Sequence, residues 1–313
     1  MSSNSPKWKS TPTTIACAIL CGISAARAQV NIDVAGPSFD TGSSEFVYVP
    51  LTTSGQTYLS DPLGDNQGGS QADDDFVGGS TTDPGFFIQH GLLNGDDALA
   101  FRLRLDGVTN NNNYNGILRV GIDYDNDGAV NIAVGPKLTG SPSSQGIVFQ
   151  LANGSDNLTP DTTSFGSAFD RIAFVTSGGA GVANYNYAPV DSTNSPESTG
   201  DFNGDSDAIL TFAFPISSLE AALNLTPGTI TSEQAMRFMA YTTNQIGSIN
   251  RDLFGSNGID VDTSFVSAGF SEATAFDGTV IVIPEPSTWI SMATLLFPVA
   301  WRTFRRRTRS PAR

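Results

Sequence analysis

Apolar and polar residues alternate along much of the chain, with the two-residue period of a β-strand. The pattern is clearest in ALAFRLRLDGV, where every second residue from Leu99 to Leu105 is apolar and Arg102 and Arg104 occupy the opposite face. Similar segments are rich in β-branched and aromatic residues, and Gly, Asn and Asp separate them. The chain therefore predicts about ten strands.

The predicted strands are EFVYVPL (45–51), GFFIQHGLL (85–93), ALAFRLRLDGV (98–108), GILRVGIDY (116–124), AVNIAVG (129–135), GIVFQLA (146–152), RIAFVTS (171–177), AILTFAFPI (208–216) and GTVIVI (278–283). Two short helices are predicted at SSLEAALN (217–224) and TSEQAMRFM (231–239), because each begins at Ser or Thr and has Glu near its first turn. This spacing predicts an all-β fold, a single β-sandwich or jelly roll with long acidic, glycine-rich loops. The longest predicted loops are 61–85, 109–116 and 184–207.

Both ends of the chain differ from this body. Near the start, two lysines precede a short apolar core (15–23), and Ala26-Arg27-Ala28 then stands before Gln29. Nine apolar-leaning residues are too few to span a bilayer, so the segment predicts a signal peptide (1–28) that signal peptidase cleaves after Ala28. A lipoprotein signal at Cys21 is the alternative. Cleavage removes both cysteines, so the mature chain has no disulfide and no thiol chemistry.

The other end joins three features in order. Pro284-Glu285-Pro286 comes first, an apolar stretch (287–304) follows, and a basic cluster (305–309) that includes Arg305, Arg306 and Arg307 comes last. An apolar stretch followed by arginines predicts a membrane helix whose basic end lies in the cytoplasm.

These three features resemble the PEP-CTERM sorting signal of Gram-negative bacteria that make exopolysaccharide. The resemblance covers residues 284–313. It implies export, transient anchoring through the C-terminal helix, and recognition by an exosortase, a membrane transpeptidase that cleaves near the PEP motif. It implies no activity for the body (29–283), which is predicted to be one domain.

The charge of the body limits its partners. Nine of the 16 Lys and Arg residues lie in the two tails, but only one of the 31 Asp and Glu residues does. The body therefore has 7 basic and 30 acidic residues, a net charge of −23. Such a body repels phosphate backbones, so no nucleic-acid partner is expected. The remaining choices are strong self-repulsion or cation binding, and we favour cation binding.

The clearest candidate cation site is the segment DYDNDGAVN (123–131). Asp123, Asp125, Asp127 and Asn131 place oxygen side chains at positions 1, 3, 5 and 9, and Gly128 at position 6 allows a sharp turn. Oxygen ligands at this spacing suit Ca²⁺. Position 12 is Val134 and strands flank the loop, so an EF-hand is excluded. The alternative is an Asp- and Asn-rich hairpin turn without metal.

A second candidate calcium site lies in DFNGDSD (201–207). Its oxygen side chains, at positions 1, 3, 5 and 7, are those of Asp201, Asn203, Asp205 and Asp207. The acidic run 73–75 is a further source of ligands for either site. In each case the alternative is a solvated acidic loop.

Catalytic chemistry has little support in the sequence. His90 is the only histidine, and its position in a predicted strand favours a structural role. The tryptophans Trp8, Trp289 and Trp301 all lie in the tails, which leaves loop tyrosines such as Tyr114, Tyr185 and Tyr187 to stack on sugars. The 30 acidic residues of the body include many candidates for a glycosidase-type carboxylate pair, but no motif selects one.

A second resemblance covers about residues 97–219. The order DALAFRLRLDG, GILRVGIDYDNDG, ILTFAFPISSL is similar to DOMON-like domains and family 9 carbohydrate-binding modules, which are β-sandwiches. The sequence thus predicts an exported, non-enzymatic surface or matrix protein that is stabilised by calcium and associates with exopolysaccharide. The alternatives are a glycan-binding module and, ranked last, a polysaccharide hydrolase.

Overall fold

The structure is a computed structural model. The structure describes residues 31–34, 47–48, 51–53, 56–58, 61, 64, 74–78, 85–107, 114, 116–167, 170–175, 183–189, 207–231, 234–255, 259, 262, 264–268 and 270. The predicted signal peptide (1–28), the strand at 278–283 and the sorting signal (284–313) lie outside these residues. Within the described residues no helix is long and apolar enough to cross a membrane.

The chain forms two large antiparallel sheets and few helices, which confirms the all-β prediction. The strands of the first sheet are β1 (Val47–Tyr48), β4 (Phe86–Leu93), β5 (Asp96–Leu105), β10 (Tyr185–Pro189) and β11 (Ala208–Pro215). They lie in the order β1-β4-β5-β11-β10. β10 lies inside a predicted loop (184–207), although its alternating Tyr185 and Tyr187 match a strand.

The strands of the second sheet are β6 (Ile117–Asp123), β7 (Ile132–Lys137), β8 (Gly146–Leu151), β9 (Asp170–Ile172), β12 (Arg237–Thr243) and β13 (Asp252–Leu253). They lie in the order β13-β12-β6-β7-β8-β9. A separate hairpin joins β2 (Leu51–Thr53) and β3 (Gln56–Tyr58). The described residues also form two α-helices, α1 (Ile216–Ala222) and α2 (Phe265–Ala268).

The helix predicted at 231–239 is wrong. Its second half belongs to β12, which pairs antiparallel with β6, and Arg237 lies opposite Asp123. Met236, Phe238 and Ala240 pack in the core between the sheets, whereas Met239 and Tyr241 pack in the cluster on the outer face, so the side chains alternate with the period of a strand. The Ser and Glu near the start match the sequence pattern of a helix cap. The strand forms instead because pairing with β6 buries the apolar side chains of this segment. The other predicted helix, at 217–224, is confirmed as α1.

One hydrophobic core lies between the two large sheets. It contains apolar residues of β4, β5 and β11 from the first sheet and of β6, β7, β8 and β12 from the second. Phenylalanine pairs join the sheets: the ring centroids of Phe101 and Phe238 are 5.4 Å apart, and those of Phe149 and Phe214 are 5.2 Å apart in a T-shaped arrangement. Such pairs add to the free energy of burial.

The outer faces of both sheets are also covered in the described part. Ile32 and Val34 pack on the outer face of the first sheet, while Phe165, Phe265 and Phe270 pack on that of the second. The face of β5 that points away from the core between the sheets is therefore not exposed to solvent. Arg102 and Arg104 lie on it as predicted but are each only 1% exposed.

Candidate metal centre

The aspartate turn (residues 123–131) connects β6 to β7 at one end of the second sheet. Oxygen atoms of Asp123, Asp125 and Asp127 all lie within 4.8 Å of one another, so this group can hold a metal ion. Asp123 is fully buried at the end of β6, whereas Asp125 and Asp127 are exposed. The group is therefore closed on the side of the protein and open toward solvent.

Backbone amides of the turn fix the orientation of the buried carboxylate. The Asp127 and Gly128 amides donate to Asp123 Oδ1 and Oδ2 at 3.1 and 2.9 Å. Gly128 has φ +95°, a backbone conformation that favours glycine, and Asn126 has φ +59°. A Cβ atom at Gly128 would also lie 3.0 Å from a methyl group of Val266. The glycine predicted at the sharp turn is thus required there.

Asn131 closes the turn. Its Oδ1 accepts a hydrogen bond from the Tyr124 amide at 2.8 Å, and its own amide donates to the Ile122 carbonyl at 3.0 Å. The first of these bonds orients the side-chain oxygen toward the backbone of the turn. Asn131 therefore shapes the loop that carries the three carboxylates.

Three contacts brace the turn from other elements. Gln234 Nε2 donates to the Tyr124 carbonyl at 2.6 Å. Arg237 Nε donates to Asn126 Oδ1, also at 2.6 Å. The Val130 amide donates to the Asn157 carbonyl at 3.0 Å. Sequence reasoning missed Gln234 and Arg237, which lie more than a hundred residues along the chain in the segment that was predicted to be helical.

Burial raises the pKa of Asp123 to about 7, and repulsion by Asp127 and Asp125 adds to this increase. The two backbone amides act in the opposite direction because they stabilise the ionised form. A bound cation would also favour the ionised form, since it replaces repulsion between carboxylates by attraction. The electrostatics of the turn therefore link proton release to cation binding.

The second predicted calcium loop is described only at its last residue. Asp201, Asn203 and Asp205 lie outside the described residues. Asp207 pairs with Arg104, whose Nη2 and Nε lie 2.6 and 2.7 Å from Asp207 Oδ2, and both side chains are buried. We predicted that calcium would neutralise the Asp207 carboxylate, but the Arg104 guanidinium supplies the positive charge at this position. Calcium binding by the rest of the loop stays a prediction.

The described members of the acidic run 73–75 do not lie in the aspartate group. Asp75 is buried, and its Oδ2 accepts a hydrogen bond from the Gly64 amide at 2.8 Å. The Asp74 carbonyl accepts one from Thr242 Oγ1 at 2.5 Å. These contacts join loop segments to the body rather than to the predicted metal site.

Two of the loop tyrosines are core residues. Tyr114 and Tyr187 are 2% and 7% exposed, with ring centroids 5.7 Å apart, and the Tyr187 hydroxyl donates to the Gly107 carbonyl. Tyr185 is half-buried against Phe174. Burial of the first two rings leaves them no open face for a sugar.

His90 Nε2 lies 2.6 Å from Asp97 Oδ1, on the neighbouring strand of the β4–β5 hairpin. The pair connects the two strands near their turn, as expected for a structural histidine.

Comparison of the chain with protein-family profiles, with curated proteins and with solved structures gives no match. Inference about function therefore rests on the sequence and on the geometry above.

Proposed function

We propose that this chain is an exported, non-enzymatic surface or matrix protein built on a β-sandwich that calcium stabilises at the aspartate turn. In this proposal a PEP-CTERM/exosortase system sorts it in the envelope of a Gram-negative bacterium. The observation that carries the calcium part is the group of three carboxylates, two of them exposed and one buried. The sorting part is supported by the sequence features at 26–28 and 284–309.

The chemistry of the turn suits Ca²⁺ among the common cations. The four candidate ligands, the carboxylates of Asp123, Asp125 and Asp127 and the side-chain amide of Asn131, all offer oxygen atoms, and hard cations prefer oxygen ligands. Ca²⁺ takes six to eight oxygen ligands, of which the three carboxylates supply only part. The exposed side of Asp125 and Asp127 leaves the remaining positions to water or to oxygen atoms of a partner.

Association with exopolysaccharide follows from those open positions. The acidic body repels an anionic polymer, but a calcium ion held at Asp125 and Asp127 can be shared with carboxylates of the polymer. Burial of Tyr114 and Tyr187 makes stacking on sugars a weaker basis for binding. The proposed partner is therefore an anionic polymer that binds through the metal.

Calcium titration of residues 29–283 tests the proposal. We expect calcium to raise the melting temperature of the native sequence and to bind with measurable heat in calorimetry. Asp125→Asn should remove most of this effect while leaving stability in chelator nearly unchanged, because Asp125 is exposed. The matched control is Asp161→Asn, a change at an exposed aspartate outside the turn. Equal calcium responses in all three proteins would refute the metal site.

Co-sedimentation with exopolysaccharide tests the partner. Binding in calcium that disappears in chelator and in Asp125→Asn supports the bridge. Binding that persists in chelator would instead indicate a direct glycan site, which is the alternative function.

A further inference from the structure

Arg237, at the start of β12, places a positive charge beside the aspartate turn. It lies opposite Asp123 in the pairing of β12 with β6, and its Nε donates to Asn126 Oδ1 at 2.6 Å. Asn126 stands in the chain between Asp125 and Asp127, the two exposed carboxylates of the group. The hydrogen bond therefore anchors the arginine at the part of the turn that carries these exposed carboxylates.

The arginine binds an amide oxygen although three carboxylates lie in the same turn. Among the described residues, no ion pair joins Arg237 to any of them. Asp123 is fully buried, and no described Lys or Arg forms an ion pair with it, so its ionised form has no counter-charge from these residues. Burying a charge without a partner costs free energy, and a bound cation offsets that cost. The buried carboxylate thus points to a cation independently of the spacing of the turn.

The position of Arg237 is unfavourable for a site that binds a cation alone, because like charges repel. The body has only 7 basic residues against 30 acidic ones, and one of the seven contacts the candidate cation site. An anion that binds the metal resolves this conflict, since the cation and the guanidinium both attract it. The arrangement therefore favours a site that binds a cation and an anion together.

The guanidinium has donors left for such an anion. Its Nε–H is bonded to Asn126, whereas no described residue accepts a hydrogen bond from Nη1 or Nη2. Arg237 is half-buried, so part of its side chain is open to solvent. Hydrogen bonds between a guanidinium and a carboxylate are strong and directional. The bond to Asn126 also restricts the guanidinium in advance, which lowers the entropy cost of binding a ligand.

We propose that the aspartate turn and Arg237 form one site for a carboxylated sugar, a uronate unit of the anionic polymer. The sugar carboxylate coordinates the calcium ion with one oxygen and accepts hydrogen bonds from the Nη groups of Arg237 at the other. The inference rests on the calcium site of the proposed function, and it adds the class of sugar and the residue that selects it. A neutral sugar offers no charge to either cation, so the site discriminates against it.

The experiment measures binding of trigalacturonate, a short uronate oligomer, to the full chain purified in detergent micelles. Calorimetry is performed at calcium concentrations that saturate each protein and again in chelator. Calcium affinity is measured separately, without sugar. The test variant is Arg237→Gln. The matched control is Arg171→Gln, which removes the same charge from an exposed arginine on β9, at the edge of the second sheet far from β12.

In calcium, we expect Arg237→Gln to bind trigalacturonate about tenfold more weakly than the native protein, because charge-assisted hydrogen bonds are lost. Calcium affinity without sugar should change much less, because removal of a repelling charge offsets the lost bond to Asn126. The control should match the native protein in both measurements, and the neutral methyl ester of the oligomer should bind to none of the proteins. Arg237→Lys, which keeps the charge but not the planar guanidinium, serves in place of Arg237→Gln if that variant does not fold, and should bind the oligomer several-fold more weakly than the native protein.

Equal trigalacturonate affinities for the native protein and Arg237→Gln, both saturated with calcium, would overturn the inference and leave the calcium site intact. The same holds if the calcium-bound native protein does not bind the oligomer, or binds it equally well in chelator. If the native protein binds no calcium, the metal site of the proposed function is wrong and the inference falls with it.

Discussion

Asp123 gives the metal-free protein a stability that decreases as pH rises. The folded carboxyl has a pKa of about 7, mainly because it is buried, whereas an unfolded aspartate has a pKa of about 3.9. Between these values the folded state binds more protons than the unfolded state. The contribution of Asp123 to stability is therefore complete below about pH 4 and is lost as pH rises through 7.

The size of the effect follows from the two pKa values. Raising the pH from 5 to 8 in chelator should lower the free energy of unfolding by about 2.5 kcal/mol through this carboxyl alone. For a domain of this length, that corresponds to a decrease of roughly 5–10 °C in melting temperature.

The assay is chemical or thermal unfolding of residues 29–283 in chelator at pH 5 and pH 8. Asp123→Asn is the reference because it cannot ionise. The variant disturbs the hydrogen bonds from Asp127 and Gly128 equally at both pH values. The native protein should therefore lose about 2.5 kcal/mol in free energy of unfolding relative to the variant when the pH is raised from 5 to 8. A difference that stays constant would refute the buried, proton-binding carboxyl.

Two further predictions concern calcium and the buried ion pair. Apparent calcium affinity, measured by calorimetry, should be about tenfold weaker at pH 6 than at pH 8, because calcium must displace the proton on Asp123; equal affinities would contradict this linkage. Arg104→Met should lower the free energy of unfolding in denaturant by about 3–5 kcal/mol, because it leaves the buried Asp207 carboxylate without the arginine that neutralises it. Adding Asp207→Leu to this variant should restore much of the loss. A double variant no more stable than the single one would contradict that explanation.

Local patterns predicted the central strands well. β4, β5, β6, β8 and β11 each lie within about three residues of their predicted bounds, because a buried strand face requires apolar side chains at every second position. The aspartate turn was also predictable, because its three aspartates and its glycine all lie within nine consecutive residues. Short-range regularity in the sequence is thus sufficient for both.

Long-range partners were not predictable. The bracing of the turn by Gln234 and Arg237 depends on β12 lying beside β6. The pairing of Arg104 with Asp207 depends on β5 lying beside β11. The arginines of β5 occupy the predicted face, but alternation alone does not show that other segments cover it. Sheet order determines each of these contacts.

The negative charge of the body also has a structural use that the sequence did not reveal. Eight acidic side chains are buried in the described part of the chain, at Asp61, Asp74, Asp75, Asp106, Asp123, Asp207, Glu220 and Asp252. Several of them accept hydrogen bonds from backbone amides of other segments, some near in the sequence and some far away. Asp252 accepts from Phe76 at 2.7 Å across 176 residues of chain, and Glu220 accepts from Gly228 and Ile230.

A carboxylate is well suited to this role. Its two oxygens accept several hydrogen bonds, and bonds to a charged acceptor are stronger than those between neutral groups. The predicted mature chain has no cysteine, so disulfides cannot hold its long loops. Buried carboxylates join such loops to the two sheets instead. Net charge alone therefore does not locate a cation site, and cation binding has to be judged at the aspartate turn, where three carboxylates lie together and two face solvent.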